Sequence, residues 1–303
     1  MNAPFPTPKF DTPILMIIFN RPEKTRIVFD AVRRIRPAKL YVAADGPRPD
    51  YESDALKCAQ ARQIVDDVDW ACDVKTIFRD KNLRCGKGVS SAINWFFEHE
   101  EEGIILEDDC LPSRSFFYFC QELLERYRHD TRLMHIGGNY FLNGSAREAS
   151  YSYYFSRNGF VWGWATWRRA WKLYDYEMGN YSELKRDGYF DSFFTSPLER
   201  MYRMRKFDQV AAGEIDTWDY QWELARFMSS GLAIVPTVNL VKNIGFDTEA
   251  THTVKKSKSL ALDAGEIEFP LRHPRFVVRD LERDKLSFSH LFKDSLLSLL
   301  PLP

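Results

Sequence analysis

Short apolar runs alternate with amphipathic stretches from residue 14 to about residue 138, and this alternation restricts the fold more than any other feature. Ile14–Phe19, Leu40–Ala44 and Ile104–Leu106 are continuous apolar runs, as expected of strands buried on both faces. Val74–Phe78 and Leu133–Ile136 read as further strands. Between them, Ile27, Val28, Ala31 and Val32 share one helical face, as do Val89, Ile93, Phe96 and Phe97 after Gly88. Helices are also expected from Ser53 to about Val68 and from Ser113 to about Tyr127. Strands joined by crossover helices run parallel, so the pattern predicts an α/β fold with a mostly parallel sheet flanked by helices. The strand ends then share one edge, which should carry Asn20, Arg21, Asp45, Arg79, Asp80 and Glu107 to Asp109.

After residue 140 the alternation stops. Tyr151–Phe155 and Leu232–Val235 read as strands, while Gly159–Trp167 is a Trp/Gly run with no clean period, a core or dimer patch by default. Residues 175 to 215 look helical but irregular, and a helix is expected from Asp216 to about Met228. Residues 242 to 260 are polar, as a mobile segment would be. Leu286, Leu291, Phe292, Leu296, Leu299 and Leu300 give the tail an apolar helical face. That face is expected on the inner surface of a membrane, on a second copy in a homodimer, or on its own domain.

The acids at the strand edge carry the chemistry. Glu107, Asp108 and Asp109 follow Ile104–Leu106 without a break. Carboxylates clustered at the end of a buried strand are costly unless compensated, and hard divalent cations take oxygen ligands. The cluster suggests a Mn²⁺ or Mg²⁺ site that holds a phosphorylated substrate; the plain alternative is a solvated acidic turn. Arg84-Cys-Gly-Lys-Gly88 lacks the earlier glycine and the Ser or Thr of a nucleotide-triphosphate loop. What survives is a helix start whose backbone amides, beside Arg84 and Lys87, could take a diphosphate.

A formal net charge of −1 over 303 residues argues against a nucleic-acid binder. The aromatic load, 8 Trp, 14 Tyr and 23 Phe, suits a sugar-binding cleft as well as a large core. Five cysteines without metal-ligand spacing, and no long apolar run or signal-like opening, lead to the expectation of a cytoplasmic setting.

Taken together, Asn20-Arg-Pro22 after the first strand, Ala44-Asp-Gly46 after the second, Asn82-Leu-Arg84 before a helix, and Ile-Ile-Leu-Glu-Asp-Asp109 resemble a GT-A nucleotide-sugar glycosyltransferase. The pattern is similar to the inverting N-acetylglucosaminyltransferase I type and its soluble bacterial relatives. In that family Glu-Asp-Asp is the metal motif, followed by a short loop and a Phe-rich helix, matched here by Glu107 through Phe117. A family Trp-Asp pair before another Trp is matched by Trp218-Asp-Tyr-Gln-Trp222. The resemblance spans roughly residues 14 to 253.

The resemblance implies a Rossmann-like GT-A domain: residues 1–140 as the nucleotide-sugar half, 141–275 as a mixed acceptor-side half, and 276–303 as a helical tail. It implies Asp109 as the direct ligand of Mn²⁺ or Mg²⁺, Asp108 near the ribose or a metal-bound water, Asp45 on the uracil, and Arg21, with Asn20 beside it, on the nucleotide. Asn243 to His252 would close over the diphosphate, with His252 a second metal ligand. The donor would be a nucleotide sugar, UDP-linked, and the acceptor a glycan, lipid-linked or protein hydroxyl. Asp219 is expected as general base and Trp218 as a stacking platform for sugar; Asp216, Glu214 and Glu223 are rivals for the base, and helix capping is the plain alternative for Asp219. No membrane anchor or stem is expected from these residues, and the acceptor-side half departs from the family in detail. The competing readings are a sugar-phosphate nucleotidyltransferase, which needs a Gly-rich basic loop where this chain has Asn20-Arg-Pro-Glu-Lys24, and a non-catalytic carbohydrate-binding protein.

Overall fold

The computed structural model describes residues 10–142, 146, 150–191, 193–245 and 262–299, with side chains described as far as residue 290. β1 (Ile14–Ile18), β2 (Lys39–Ala44), β3 (Asp73–Phe78) and β4 (Glu102–Glu107) alternate with α1 (Pro22–Ile35), α2 (Glu52–Gln63) and α3 (Arg84–His99). Then come β5 (Cys110–Pro112), α4 (Arg114–Arg126), β6 (Leu133–Gly137), β7 (Tyr153–Ser156), β8 (Trp164–Trp167), α5 (Arg168–Trp171) and α6 (Tyr181–Arg186). The chain continues through α7 (Pro197–Ala211), α8 (Asp219–Met228), β9 (Leu232–Pro236), β10 (Val241–Asn243) and α9 (Leu281–Leu299).

Eight strands form one sheet in the order β3-β2-β1-β4-β8-β6-β9-β7. β1 pairs in parallel with β2 and β4, β2 with β3, and β6 with β9. Only β8 and β7 run the other way. The sheet is therefore mostly parallel, as the alternation requires, and it runs unbroken across both halves of the chain.

The period-two geometry of β1 sorts the core. Ile14, Met16 and Ile18 face a cluster built with α1, α2 and α4, while Leu15 faces another built with α3, α5 and α8. β8 emerges from the Trp/Gly run: Trp164 to Trp167 are buried on both faces, which erases the alternation that would have marked a strand. Trp164, Trp171, Trp218 and Trp222 pack in one core cluster, so the run serves the interior. α3 starts at Arg84, four residues before the expected boundary, because Gly86 and Gly88 lie inside the helix. The three-residue strands β5 and β10 pair antiparallel and are too short to carry a pattern.

α9 begins at Leu281, earlier than expected, and its first turns belong to the domain. Asp284 accepts a hydrogen bond from Ser156 Oγ at 2.5 Å, and Phe288 is buried with its ring 6.0 Å from that of Tyr202. Leu286 is half-buried; the other five residues of the expected apolar face have no described side chains. No helix among the described residues is long and apolar enough to cross a membrane.

Candidate active site at the carboxyl edge of the sheet

The segments that follow β1, β2, β3 and β4 enclose a cavity of about 370 Å³ with the start of α3 and with Asn243 and Gly245. Arg21, Asp45, Arg84, Asp108 and Asp109 all line it, so the strand-end rule brings five of the ten expected site residues together.

Glu107, Asp108 and Asp109 are compensated in a way the sequence did not indicate. Arg21 reaches across from the end of β1 and pairs with Asp108 at 2.5 Å and Asp109 at 2.9 Å. Asp108 is buried, and its Oδ2 also accepts the Phe19 N–H at 3.1 Å. Removing one partner of a buried ion pair leaves the other charge stranded, a loss of about 3–5 kcal/mol. Arg21→Ala is expected to destabilise the protein on that scale, with Mn²⁺ recovering part of the loss because a cation can take over the same carboxylates. A denaturant midpoint unmoved by the substitution would contradict this account.

Glu107 lines the cavity but makes no side-chain hydrogen bond among the described residues. Burial, then the charges of Asp109 and Asp108, push its carboxyl up from 4.5 to about 8, against the pull of Arg21. Burial likewise raises Asp108 above the usual range in spite of Arg21. The folded protein therefore keeps a proton on Glu107 that the unfolded chain releases near its ordinary value of about 4.3. Stability from this group is full at low pH and lost as pH rises towards about 8. The melting temperature of the metal-free protein should fall between about pH 5 and pH 8, and Glu107→Gln should flatten that fall; an unchanged slope in the variant would refute the assignment.

The loop before α3 is fixed by side chains rather than open to a ligand. Asp45 accepts from Leu83 N–H at 3.0 and 2.9 Å, and Asn82 Oδ1 accepts from Arg84 N–H at 3.0 Å. Asp216, from the far half of the chain, accepts from the N–H groups of Cys85 at 3.2 Å and Gly86 at 3.1 Å. The amides expected to hold a diphosphate are thus capped by a carboxylate, which corrects that reading. Arg84 holds a left-handed backbone at φ 63°, a strained conformation for a side chain of its size, kept by those hydrogen bonds. A Cβ on Gly86 would lie 2.7 Å from Asp216 Oδ1, so only glycine admits the cap.

The remaining expected residues fall elsewhere. Lys87 points its ammonium over the Tyr176 ring, 5.6 Å from the centroid, and does not line the cavity. Asn20 donates to Asp54 at 2.7 Å, and Asp54 in turn holds Arg48 at 2.6 Å, so Asn20 acts at one remove. Trp218 is buried and stacked on Trp164 with centroids 5.5 Å apart, which leaves no face for a sugar. His252 lies outside the described residues. Arg48 and Arg79, which line the cavity, were not singled out by the sequence. Arg79 entered only through the general strand-edge expectation. Arg79 donates to Ser91 Oγ at 2.8 Å and makes no ion pair among the described residues, leaving a half-buried cation on the cavity wall.

A second cavity of about 200 Å³ shares Trp162 with the first. Asp219 lies in its wall at the first turn of α8. Its Oδ1 accepts from Thr217 Oγ1 and from the Tyr220 N–H at 3.0 Å, while Oδ2 has no hydrogen bond among the described residues. Burial pushes its carboxyl up, against the Thr217 hydrogen bond and with help from the Glu223 charge. Desolvation therefore outweighs the position of Asp219 at a helix N-terminus. Among the rivals, Asp216 caps α3, Glu223 is paired with Arg203, and Glu214 is exposed beyond α7.

The carboxylates suit a cation that arrives with phosphates. Among the described residues Asp109 Oδ1 accepts only the weak Cys110 thiol at 3.4 Å, so much of its lone-pair capacity is unspent there. Gly245 lies against Asp109 so closely that a Cβ would run into Oδ2. Among the described residues no three His, Cys, Asp or Glu converge as a ready cage. Mg²⁺-like ions commonly bind through one or two carboxylates plus substrate phosphates, which is the arrangement Asp109 permits.

No protein-family model and no curated protein matches this chain. Solved structures that align with it include the mannosyltransferase PcManGT of Pyrobaculum calidifontis in complex with GDP-Man and Mn²⁺, at 15% identity and TM-score 0.36. That alignment covers 62% of this chain and 49% of the mannosyltransferase, about half its length. The inositol-1-phosphate CTP transferase of T. maritima aligns at 6% identity over 75% of this chain and 85% of its own, TM-score 0.36. An apo UDP-glucose pyrophosphorylase aligns at 9% identity over 74% and 90%, TM-score 0.37. Likeness this distant assigns neither a reaction nor a substrate to this chain.

Proposed function

We propose that this chain is a cation-assisted, inverting glycosyltransferase that takes a sugar from a nucleoside-diphosphate donor, UDP-linked, to an acceptor hydroxyl. The observation that carries the reading is the position of Asp219. It lies in the wall of the second cavity, yet close enough to Glu107 and Cys85 of the first for its charge to help raise both groups. A carboxyl in the wall of a cavity that shares Trp162 with the first is suited to transfer between two substrates.

In this reading the first cavity takes the donor. Asp45, Arg48 and Arg79 line the nucleotide end, and Arg79 and Arg84 supply positive charge for the diphosphate. Asp109 would hold Mn²⁺ or Mg²⁺, with Asp108 near it and His252 as a further ligand. When bound, the cation neutralises charge on the departing nucleoside diphosphate. Arg21 holds Asp108 and Asp109 in place for it. Asp219 takes the acceptor's proton through Oδ2, and its raised affinity for protons suits that task. An acceptor that approaches from the second cavity attacks from the side away from the diphosphate, which inverts the anomeric carbon.

The test is product analysis. Incubation with a panel of UDP- and GDP-sugars and Mn²⁺ should release a nucleoside diphosphate. Release of pyrophosphate from a nucleoside triphosphate and a sugar phosphate would instead establish the nucleotidyltransferase reading. Sugar binding without either product would leave a carbohydrate-binding protein.

A further inference from the structure

The second cavity contains a cation that the proposed chemistry does not use. Arg226 lies on α8 on the same face as Asp219 and Glu223, two turns along, and is 1% exposed. It lines the cavity beside Asp219. Its side chain makes one hydrogen bond among the described residues, from Nη1 to the Arg157 carbonyl at 2.9 Å, and its Nε is buried without an acceptor. No carboxylate is within ion-pair distance of it among the described residues. Burial lowers its pKa to about 10, so it remains charged at neutral pH.

The neighbouring arginine is different. Arg203, also buried in this wall, is paired with Glu223, lies 3.8 Å from Glu199 and donates to Asn158 Oδ1 at 2.6 Å. Two guanidinium groups therefore face one small cavity; the Nε of each is buried without an acceptor, but among the described residues only Arg203 is paired with a carboxylate. An unpaired buried charge is among the most costly features a fold can carry. A guanidinium matches carboxylate and phosphate geometry with two parallel hydrogen bonds. Phe160, Trp162 and Tyr220 supply aromatic surface in the same cavity, suited to the apolar face of a sugar ring.

We propose that the second cavity is a binding subsite for an anionic acceptor, a sugar unit carrying a carboxylate or a phosphate, with Arg226 as the group that receives the anion. This rests on the reading of the first cavity as the donor side, but its test needs no nucleotide. Titrations of D-glucuronate, glycerol 3-phosphate and D-glucose, followed by ligand-observed NMR, are made on the full chain without donor. The wild type should bind at least one of the anions tenfold more tightly than glucose. Preference for glucuronate identifies a uronic acid, and preference for glycerol phosphate a phosphorylated acceptor.

Arg226→Met removes the charge while keeping length, and replacing an uncompensated buried ion by an apolar side chain should leave the melting temperature unchanged or higher. In this variant the preference for the anion should fall at least tenfold. A wild type that does not distinguish the anions from glucose overturns the proposal, whether or not the variant folds. A preference that survives in folded Arg226→Met also overturns it. UDP binding with Mn²⁺ in the absence of anion binding would sink this proposal alone; the reverse would sink the donor assignment alone.

Discussion

Asp219→Asn should lower sugar transfer by roughly 10²–10⁴-fold, the usual contribution of a positioned general base, while donor affinity stays near wild type. The amide keeps the oxygen that accepts from Thr217 and Tyr220, so the first turn of α8 is retained. What it loses is the second carboxylate oxygen, the one without a hydrogen bond among the described residues. The rate profile of the wild type should rise with pH through the raised pKa of Asp219, because the base works only when ionised. Glu223→Gln is the informative contrast. It breaks the buried pair with Arg203 and is expected to cost about 3–5 kcal/mol in stability, so its damage should appear in a melting curve. Near-normal turnover by Asp219→Asn, with transfer lost in Asp216→Asn or in folded Glu223→Gln, would show that the base has been misassigned.

Asp109→Ala should weaken Mn²⁺-dependent UDP binding by at least ~100-fold, equivalent to about 2.7 kcal/mol. Arg21 remains paired with Asp108 in the variant, so the fold should persist. Asp108 cannot substitute as ligand: it is buried, with one oxygen on Arg21 and the other on the Phe19 amide. Calorimetric titration of UDP at saturating Mn²⁺ measures the effect. Equal affinity in variant and wild type would remove Asp109 from the metal site.

The sheet was legible because β1, β2 and β4 are buried on both faces and the helices between them on one. Ile14 to Ile18 could be nothing but an inner strand, and Val89, Ile93, Phe96 and Phe97 fix the inner face of α3. β8 was not legible because Trp164 to Trp167 are buried on both sides in the middle of a Trp/Gly run, and nothing in the spacing separates that strand from a loop. The strand-end rule put Arg21, Asp45 and the three acids on one edge, and all five line the first cavity. It could not show that Arg21 compensates the acids, since the pair joins residues 88 apart in the chain. Asp216 likewise caps α3 across 130 residues, a partnership with no local signal, so the loop read as an open anion site. Trp218 was read as a sugar platform because a Trp beside an acid looks the same in sequence whether its ring faces solvent or, as here, another Trp.

The most direct test of the central claim is a titration of UDP into the wild-type protein with and without Mn²⁺. The account requires saturable binding that is strongly enhanced by the cation, with one nucleotide per chain. Binding that is absent in both conditions, or equal in both, would contradict it.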